Sequence, residues 1–266
     1  MRRRLLEAPL EPVGQFADAS NATLLVRLRD RDPRDLATIA ADLGREPAVE
    51  DLAPDDLAVY KPQRGERPLW DFPTGTLHAR EVAAFEISDA LGWDLVPTTV
   101  RREDGPFGIG SLQRFVPHDP QQHYFWLLEH GEPAVIGQLM TMVVFDLVID
   151  NADRKGGHVL LEQPTSPTPP DAVAPRVRLV DHGVSLSTEF KLRTVGWHFA
   201  GEPVPAALTA AVAALAEQLE ERLLPRLVGL LSAPEVAVLA DRLRRLGDLE
   251  AFPQPHGERP FPWPLL

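Results

Sequence analysis

The sequence predicts an α+β protein of two lobes, a small antiparallel-sheet N-lobe over residues 1–115 and a mainly helical C-lobe over residues 116–251. Three observations predict it. The first 115 residues hold short β-prone runs separated by turn chemistry, with one clear helical pattern among them. From residue 117 onward the dominant periodicity is helical. The length, 266 residues, suits two lobes around a cleft and buries enough surface to fold without a covalent staple.

Composition narrows the function classes. There is no cysteine, which excludes disulfides, thiolate metal sites and cysteine nucleophiles. The net charge is −12 and no basic stripe interrupts it, so nucleic acid is not expected as a partner. No apolar run reaches the ~18 residues of a membrane span, and the N-terminus shows no signal-peptide pattern. No stable membrane insertion and a cytoplasmic location are the expectations. Only Lys61, Lys155 and Lys191 among the 27 basic residues are lysine. In a chain that otherwise writes arginine, a retained lysine suggests a site that needs a compact ammonium.

Each element follows from local pattern. The turn Ala17-Asp18-Ala19-Ser20-Asn21 between two apolar runs predicts a hairpin over residues 10–29. A short helix is expected at Leu36–Leu43, then a strand, Leu57 to Lys61, that stops at Pro62. After a Pro/Gly-rich loop, a helix is predicted from His78 to Leu91. Its apolar face is Val82, Ala83, Phe85, Ile87 and Leu91, which leaves Arg80, Glu81 and Asp89 on the other side. Gly92 ends it. Strands are expected near Val96–Arg101 and Gly110–Val116, joined at Glu103-Asp104-Gly105. The segment Ile136–Ile149 is apolar on all sides except Asp146, the mark of a buried helix. Strands at His158–Leu161 and Val177–Val180 flank a Pro-rich stretch, residues 162–176, expected to be an exposed insertion. Amphipathic helices are predicted at Ala206–Leu224 and Ala233–Leu246. The Pro-rich tail, residues 252–266, is expected to be only partly ordered.

Three segments carry candidate chemistry. Lys61 ends a strand, and its ammonium can serve nucleotide phosphates if Glu81 on the next helix holds it; the alternative is a solvated strand-end charge. Asn151-Ala152-Asp153-Arg154-Lys155-Gly156-Gly157-His158 follows the buried helix. There Asp153 can accept a hydroxyl proton and His158 can approach a metal or phosphate, or the segment is an ordinary polar turn. In Val180-Asp181-His182-Gly183 the carboxylate stands at a strand end before a glycine, placed to hold Mg²⁺ or simply to form a turn. A phosphotransferase needs a cation on the phosphates, a base for the acceptor hydroxyl, and metal ligands, and these segments supply them in chain order.

The strings Tyr60-Lys61-Pro62, Arg80-Glu81-Val82-Ala83-Ala84-Phe85, Gln113-Arg114-Phe115-Val116, Asn151-Ala152-Asp153-Arg154 and Val180-Asp181-His182-Gly183 resemble the atypical kinases of the phosphatidylinositol 3-/4-kinase-like and HipA-like type, in particular an actinobacterial branch. The resemblance spans residues 12–200. It implies a two-lobed protein-kinase-like fold and an ATP-dependent phosphotransferase that moves the γ-phosphate to a hydroxyl with Mg²⁺ or Mn²⁺. It also implies residue roles. Lys61, paired with Glu81, contacts the α- and β-phosphates. Ser20 and Asn21 stand in a glycine-free counterpart of the phosphate loop. Gln113, Phe115 and Val116 form the hinge beside adenine. Asp153 is the catalytic aspartate, braced by Arg154, with Lys155 neutralising the transferred phosphate. Asp181 holds the metal, and Lys191 with Arg193 lies in an activation or substrate segment. His158 departs from the pattern, because such kinases place asparagine there. Imidazole suits Mn²⁺ better than Mg²⁺, so His158 leaves three options: a manganese preference, a single-metal mechanism or lost catalysis. A pseudokinase that binds nucleotide or scaffolds a partner, and AMP transfer on the same fold, therefore stay open. The acceptor is a protein, small molecule or lipid; the acidic charge and the lack of a membrane-docking segment favour the first two.

Overall fold

The structure is a computed structural model that describes residues 1–16, 21–165, 174–257 and 259–266. Its N-lobe is a five-stranded antiparallel sheet of order β1-β2-β3-β5-β4, with β1 Leu10–Gln15, β2 Leu24–Leu28, β3 Leu57–Pro62, β4 Thr99–Gly105 and β5 Gly108–Arg114. Leu24, Leu25 and Val26 of β2 are apolar in succession because both faces of the sheet are covered. Val26 and Leu28 join Leu5 of helix α1 (Arg2–Glu7), Tyr60, Val100 and Leu112 on one side. Leu25 and Leu57 join Ile39 of helix α2 (Leu36–Leu43) and Leu52 on the other. Alternation along each strand sends neighbours to opposite faces. Asp35 caps α2 by accepting from the Thr38 N–H at 2.8 Å, and Gly44, in the left-handed region at φ +70°, ends it.

Helix α3 (Leu77–Leu91) lies against β4 and β5 and begins on the Glu66 carboxylate, which accepts the N–H groups of Leu77 and His78 at 3.1 and 2.8 Å. All of it except Asp89 is buried. The expected polar face is therefore absent: Arg80 and Glu81 are inside, because C-lobe helices pack on the side opposite the sheet. The β4–β5 hairpin also differs from expectation, with β4 starting later and β5, from Gly108 rather than Gly110, starting earlier. Pro97 cannot donate to the ladder, so β4 starts at Thr99, and the turn is Pro106-Phe107 rather than residues 103–105. Glycine is required in β5, where a Cβ on Gly110 would lie 2.5 Å from the Lys61 carbonyl oxygen and 2.7 Å from Cε2 of Tyr60.

The C-lobe is built on α5 (Pro133–Ile149), preceded by α4 (Tyr124–His130). The two-stranded ladder of β6 (Val159–Glu162) and β7 (Arg176–Leu179) follows. Helices α6 (Ala206–Glu217), α7 (Leu224–Leu227) and α8 (Ala233–Leu246) complete the lobe. One apolar core joins α3, α4, α5, the ladder and the last helices, so the lobes share their packing. The single helix expected over 206–224 is interrupted by a wide turn at Leu219–Leu223, next to Pro225, which has no N–H to give. No described helix is long and apolar enough to cross a membrane.

The tail departs most from expectation. Its described residues dock on the C-lobe: Phe252 is buried, Pro260 O accepts from Thr194 N (3.2 Å) and Trp197 Nε1 (2.7 Å), and Leu265 O accepts from Gly156 N (2.7 Å). Prolines lack donors but keep their carbonyls, and these satisfy loop N–H groups that would otherwise be orphaned. Removing residues 260–266 is expected to raise hydrogen exchange across residues 151–158 and 193–197 while α8 stays protected. Unchanged exchange in those loops would contradict the docking.

Candidate active site

The site starts from β3. Period-two alternation puts Val59 and Lys61 on one face, and both line a cavity of about 410 Å³ between the lobes. Lys61 Nζ is held by Glu81 Oε1 and, at 2.8 Å, by Asp181 Oδ1. Burial works against the Lys61 ammonium, but Asp181 and Glu81 overcome it and hold its pKa above the ordinary value. The same contest ends the other way for the carboxylates. Burial pushes Asp181 and Glu81 up, and Lys61 pulls both below their usual range. Asp181 sits in the left-handed region at φ +59°, a conformation that aims its carboxylate into the cavity.

The other oxygen of Asp181 faces His158, with Nε2 at 3.5 Å from Oδ2. Burial lowers the His158 pKa to about 4 despite Asp181, so the imidazole is neutral at pH 7, and its Nδ1 accepts from Lys155 N–H at 3.4 Å. His182 points the other way, into the core against Phe145. Its backbone N–H reaches Glu81 Oε2 at 2.9 Å, but Nδ1 is 3.7 Å from that oxygen, too far to bond, and both ring nitrogens lack partners. Burial, reinforced by the Arg154 charge, lowers its pKa to about 4 as well.

These two histidines predict a pH dependence. Unfolded, each takes up a proton near its ordinary value of 6.5; folded, neither does until about 4. The unfolded chain binds more protons between those limits, so stability is complete above pH 6.5 and is lost as pH falls toward 4, on the order of 3 kcal/mol per histidine. Urea unfolding between pH 7.5 and 4.5 is expected to show this slope, roughly halved in His182→Phe. A flat profile would contradict the burial of both rings.

The loop after α5 is fixed from beneath. Arg154 is fully buried; Nε bonds both oxygens of Asp146 at 3.0 and 3.2 Å, and a terminal nitrogen bonds Val180 O at 2.9 Å. Thr194 Oγ1 and Asn151 Nδ2 complete the Asp146 shell at 3.0 and 3.3 Å. Arg154 thus ties the Asp153 loop to the Asp181 turn without reaching the cavity. Asp153 N–H donates to Asn151 Oδ1 at 2.9 Å, and Lys155 Nζ stands 3.2 Å from Asp153 Oδ2. Burial raises the Asp153 pKa against the pull of Lys155, and the negative charge of Asp181 adds to the rise. Asp153 and Lys155 therefore stand beside the cavity rather than in its wall.

Of the other residues singled out from sequence, Asn21, Glu81, Gln113, Phe115 and Val116 line the cavity, and Ser20 lies outside the described residues. Asn21 Oδ1 accepts from Arg67 N at 2.8 Å, and Gln113 Nε2 donates to Thr99 Oγ1 at 2.8 Å. Lys191 is turned from the cavity, held by Asp71 Oδ2 at 3.2 Å and packed over the Phe72 ring. Sequence reasoning missed several wall residues. Val59, Leu160 and Val180 form its apolar surfaces, and His118 bonds Val116 O through Nδ1 at 2.8 Å. Glu66 and His78, 2.8 Å apart, line it too. The strand period identifies Val59, and Val180 adjoins Asp181; nothing local marks the Glu66–His78 contact across a loop.

The segment after the turn is also clamped. Arg80 donates to Ser185 O and Leu186 O at 2.8 and 3.0 Å and bonds Glu235. Arg242 donates to Val148 O at 2.9 Å and Ser187 O at 3.3 Å, and Asp150 accepts from Lys191 N.

A lysine–glutamate pair bridging sheet and helix, faced across an interlobe cavity by an Asp-His-Gly turn, on this strand order, defines a two-lobed kinase-like fold. Comparison with solved structures agrees: the fold is similar to that of hydra Fam20 with sugar, at a TM-score of 0.51 and 15% identity over 93% of this chain and 86% of that one. A Helicobacter pylori proinflammatory kinase, CtkA, aligns at a TM-score of 0.49 and 12% identity over 91% of this chain and 92% of that one. No family model matches the sequence. Protein Rv2133c of Mycobacterium tuberculosis (strain ATCC 25618 / H37Rv) is 41% identical over 239 residues, which cover 78% of this chain and 82% of that protein. The chain belongs to the family of Rv2133c.

Proposed function

We propose that the protein is an ATP-dependent phosphotransferase that moves the γ-phosphate to a hydroxyl acceptor. The observation that carries this reading is the convergence of Lys61, Glu81, Asp181 and His158 on one cavity that is also lined by the apolar Val59, Leu160, Phe115 and Val116. A nucleoside triphosphate matches that polarity: base against Val59, Leu160 and the Phe115–Val116 segment, phosphates against the Lys61 ammonium. Lys61 contacts the α- and β-phosphates, and Glu81 holds it in place. Asp181 and the neutral His158 offer an oxygen and a nitrogen to a divalent ion. Among the described residues no group of three such ligands forms, so the remaining donors would be phosphate oxygens and water. Mixed oxygen and imidazole donors suit Mn²⁺ at least as well as Mg²⁺. Such an ion would neutralise developing charge on the phosphates. Asp153, with its pKa raised, accepts the acceptor proton, and Lys155 faces the transferred group.

The test is γ-phosphate release or transfer from ATP with Mg²⁺ and with Mn²⁺, wild type beside Asp181→Ala. Metal-dependent turnover that the substitution abolishes, with Mn²⁺ the better metal and the preference moving to Mg²⁺ in His158→Asn, is the expected result. ATP binding without turnover under either metal sinks phosphotransfer in favour of a pseudokinase. Mass addition of AMP to an acceptor sinks it in favour of AMP transfer. The phosphatidylinositol 3-/4-kinase-like resemblance belongs to the same proposal. Its lipid acceptor is disfavoured by the net charge of −12.

A further inference from the structure

A second cavity, of about 340 Å³, opens on the C-lobe between the segment after the Asp-His-Gly turn and the docked tail. Phe190, Leu192 and Arg193 form one wall, and His256, Gly257 and Arg259 form the other. Phe190 and His256 stack, with ring centroids 4.8 Å apart and planes at 15°, which gives the cavity a flat side. Lys191 also reaches it, but its ammonium is already taken by Asp71 and Glu189 at 3.2 and 3.4 Å.

Arg193 differs. Its backbone is locked to the Asp153 loop, because Arg193 N donates to Asn151 O and Arg193 O accepts from Arg154 N, each at 2.9 Å. That places its side chain next to the proposed base, where its positive charge helps to lower the Asp153 carboxyl. Among the described residues neither Arg193 nor Arg259 has a carboxylate partner, in a chain of net charge −12 whose buried arginines at 27, 80, 154 and 178 are all paired. Two guanidinium groups lining one cavity, one from each wall, match a dianion, and their planar forks match phosphate oxygens better than a point charge does. The volume is at the small end of ligand pockets.

We propose that this cavity is the acceptor site, and that it takes a small molecule carrying a phosphate near its reacting hydroxyl. The inference rests on the phosphotransferase reading for the fate of the bound molecule, but not for its binding. Arg193 and Arg259 hold the resident phosphate and turn the free hydroxyl toward Asp153. The hydroxyl oxygen bonds to the γ-phosphorus of ATP, the bond from that phosphorus to the β–γ bridging oxygen breaks, ADP leaves with the electron pair, and the hydroxyl proton passes to Asp153. The product is a bisphosphate.

The test is calorimetric titration of the full chain with glycerol 3-phosphate, glycerol and inorganic phosphate, in wild type, Arg193→Ala/Arg259→Ala, Arg193→Lys/Arg259→Lys and Lys61→Ala. Glycerol 3-phosphate is expected to bind wild type about tenfold or more tighter than glycerol, a margin of the size one charge-assisted contact supplies. The double alanine variant loses that margin, the double lysine variant keeps part of it, and Lys61→Ala keeps all of it. No margin in wild type, an unchanged margin in the double alanine variant, or its loss in Lys61→Ala would each overturn the assignment. So would inorganic phosphate binding as tightly as glycerol 3-phosphate, which would mark a plain anion site. If the alanine variant fails to fold, as its circular dichroism reports, the lysine variant decides: a margin reduced but present supports the site, and one unchanged or absent overturns it. ATP turnover is measured separately. Intact glycerol 3-phosphate binding in a protein that never consumes ATP sinks the phosphotransferase reading and leaves the anion site standing.

Discussion

Asp153→Asn is expected to lower turnover by about 10³-fold, within the range that a positioned general base contributes, while ATP affinity changes by less than about twofold. The two readouts separate because Asp153 stands outside the cavity wall. Its loop is held by Arg154 from below and by Leu265 O at Gly156, so the isosteric change leaves the scaffold intact. Lys155 loses an anionic partner and becomes freer to meet a phosphate, which further favours retained nucleotide binding. Burial and Asp181 raise the Asp153 pKa, so the acid limb of the pH–rate profile is expected above the ordinary carboxylate range, and it disappears in the variant. Steady-state kinetics with parallel nucleotide titration checks this. An Asp153→Asn protein with wild-type turnover would remove Asp153 from the chemistry.

Arg154→Ala is expected to cost about 3–5 kcal/mol of folding stability, a large share of what a domain has. Both partners of the Arg154–Asp146 pair are fully buried, so the substitution leaves a carboxylate with only Thr194 and Asn151 for company. Burial already raises the Asp146 pKa even with the guanidinium present. Without it the value rises further above that of the unfolded chain. A raised carboxyl loses its stabilising proton as pH rises, so the deficit of the variant grows toward neutral pH and shrinks on acidification. Urea midpoints at pH 5 and pH 8, wild type beside variant, measure it. The same substitution unties Asp153 from Val180 and is expected to lower any turnover together with stability, whereas Asp153→Asn lowers turnover alone. A deficit below 1 kcal/mol would show that the pair is not the anchor described.

The strand-end lysine and the Asp-His-Gly turn were legible because their places in the fold are local: β3 stops at Pro62, and the Asp181 turn follows directly on β7. The Ile136–Ile149 helix was legible for the opposite reason, since a segment apolar on all sides has only one place to go. What escaped depended on distant surfaces. Helix α3 looks amphipathic alone, yet Arg80 is buried because carbonyls of residues 185 and 186 and the Glu235 carboxylate come to it from over a hundred positions away. The tail reads as unstructured from its prolines, and nothing in its composition says that Thr194, Trp197 and Gly156 need its carbonyls. The cavity wall was half legible: Gln113 to Val116 came from the kinase resemblance, whereas the contact of Glu66 with His78 and the approach of His118 depend on loops whose paths no periodicity describes.

Nucleotide affinity of Lys61→Ala against wild type, read by titration with ATP in the presence of Mn²⁺, tests the shared cavity most directly. The ammonium bridges Glu81 and Asp181, so its removal takes away the phosphate contact and leaves two carboxylates facing the incoming charge. ATP affinity is expected to fall by about 100-fold or more, the loss of a charge-assisted contact with repulsion added. ATP bound equally well by both proteins would mean that the triphosphate does not sit where Lys61, Asp181 and His158 meet.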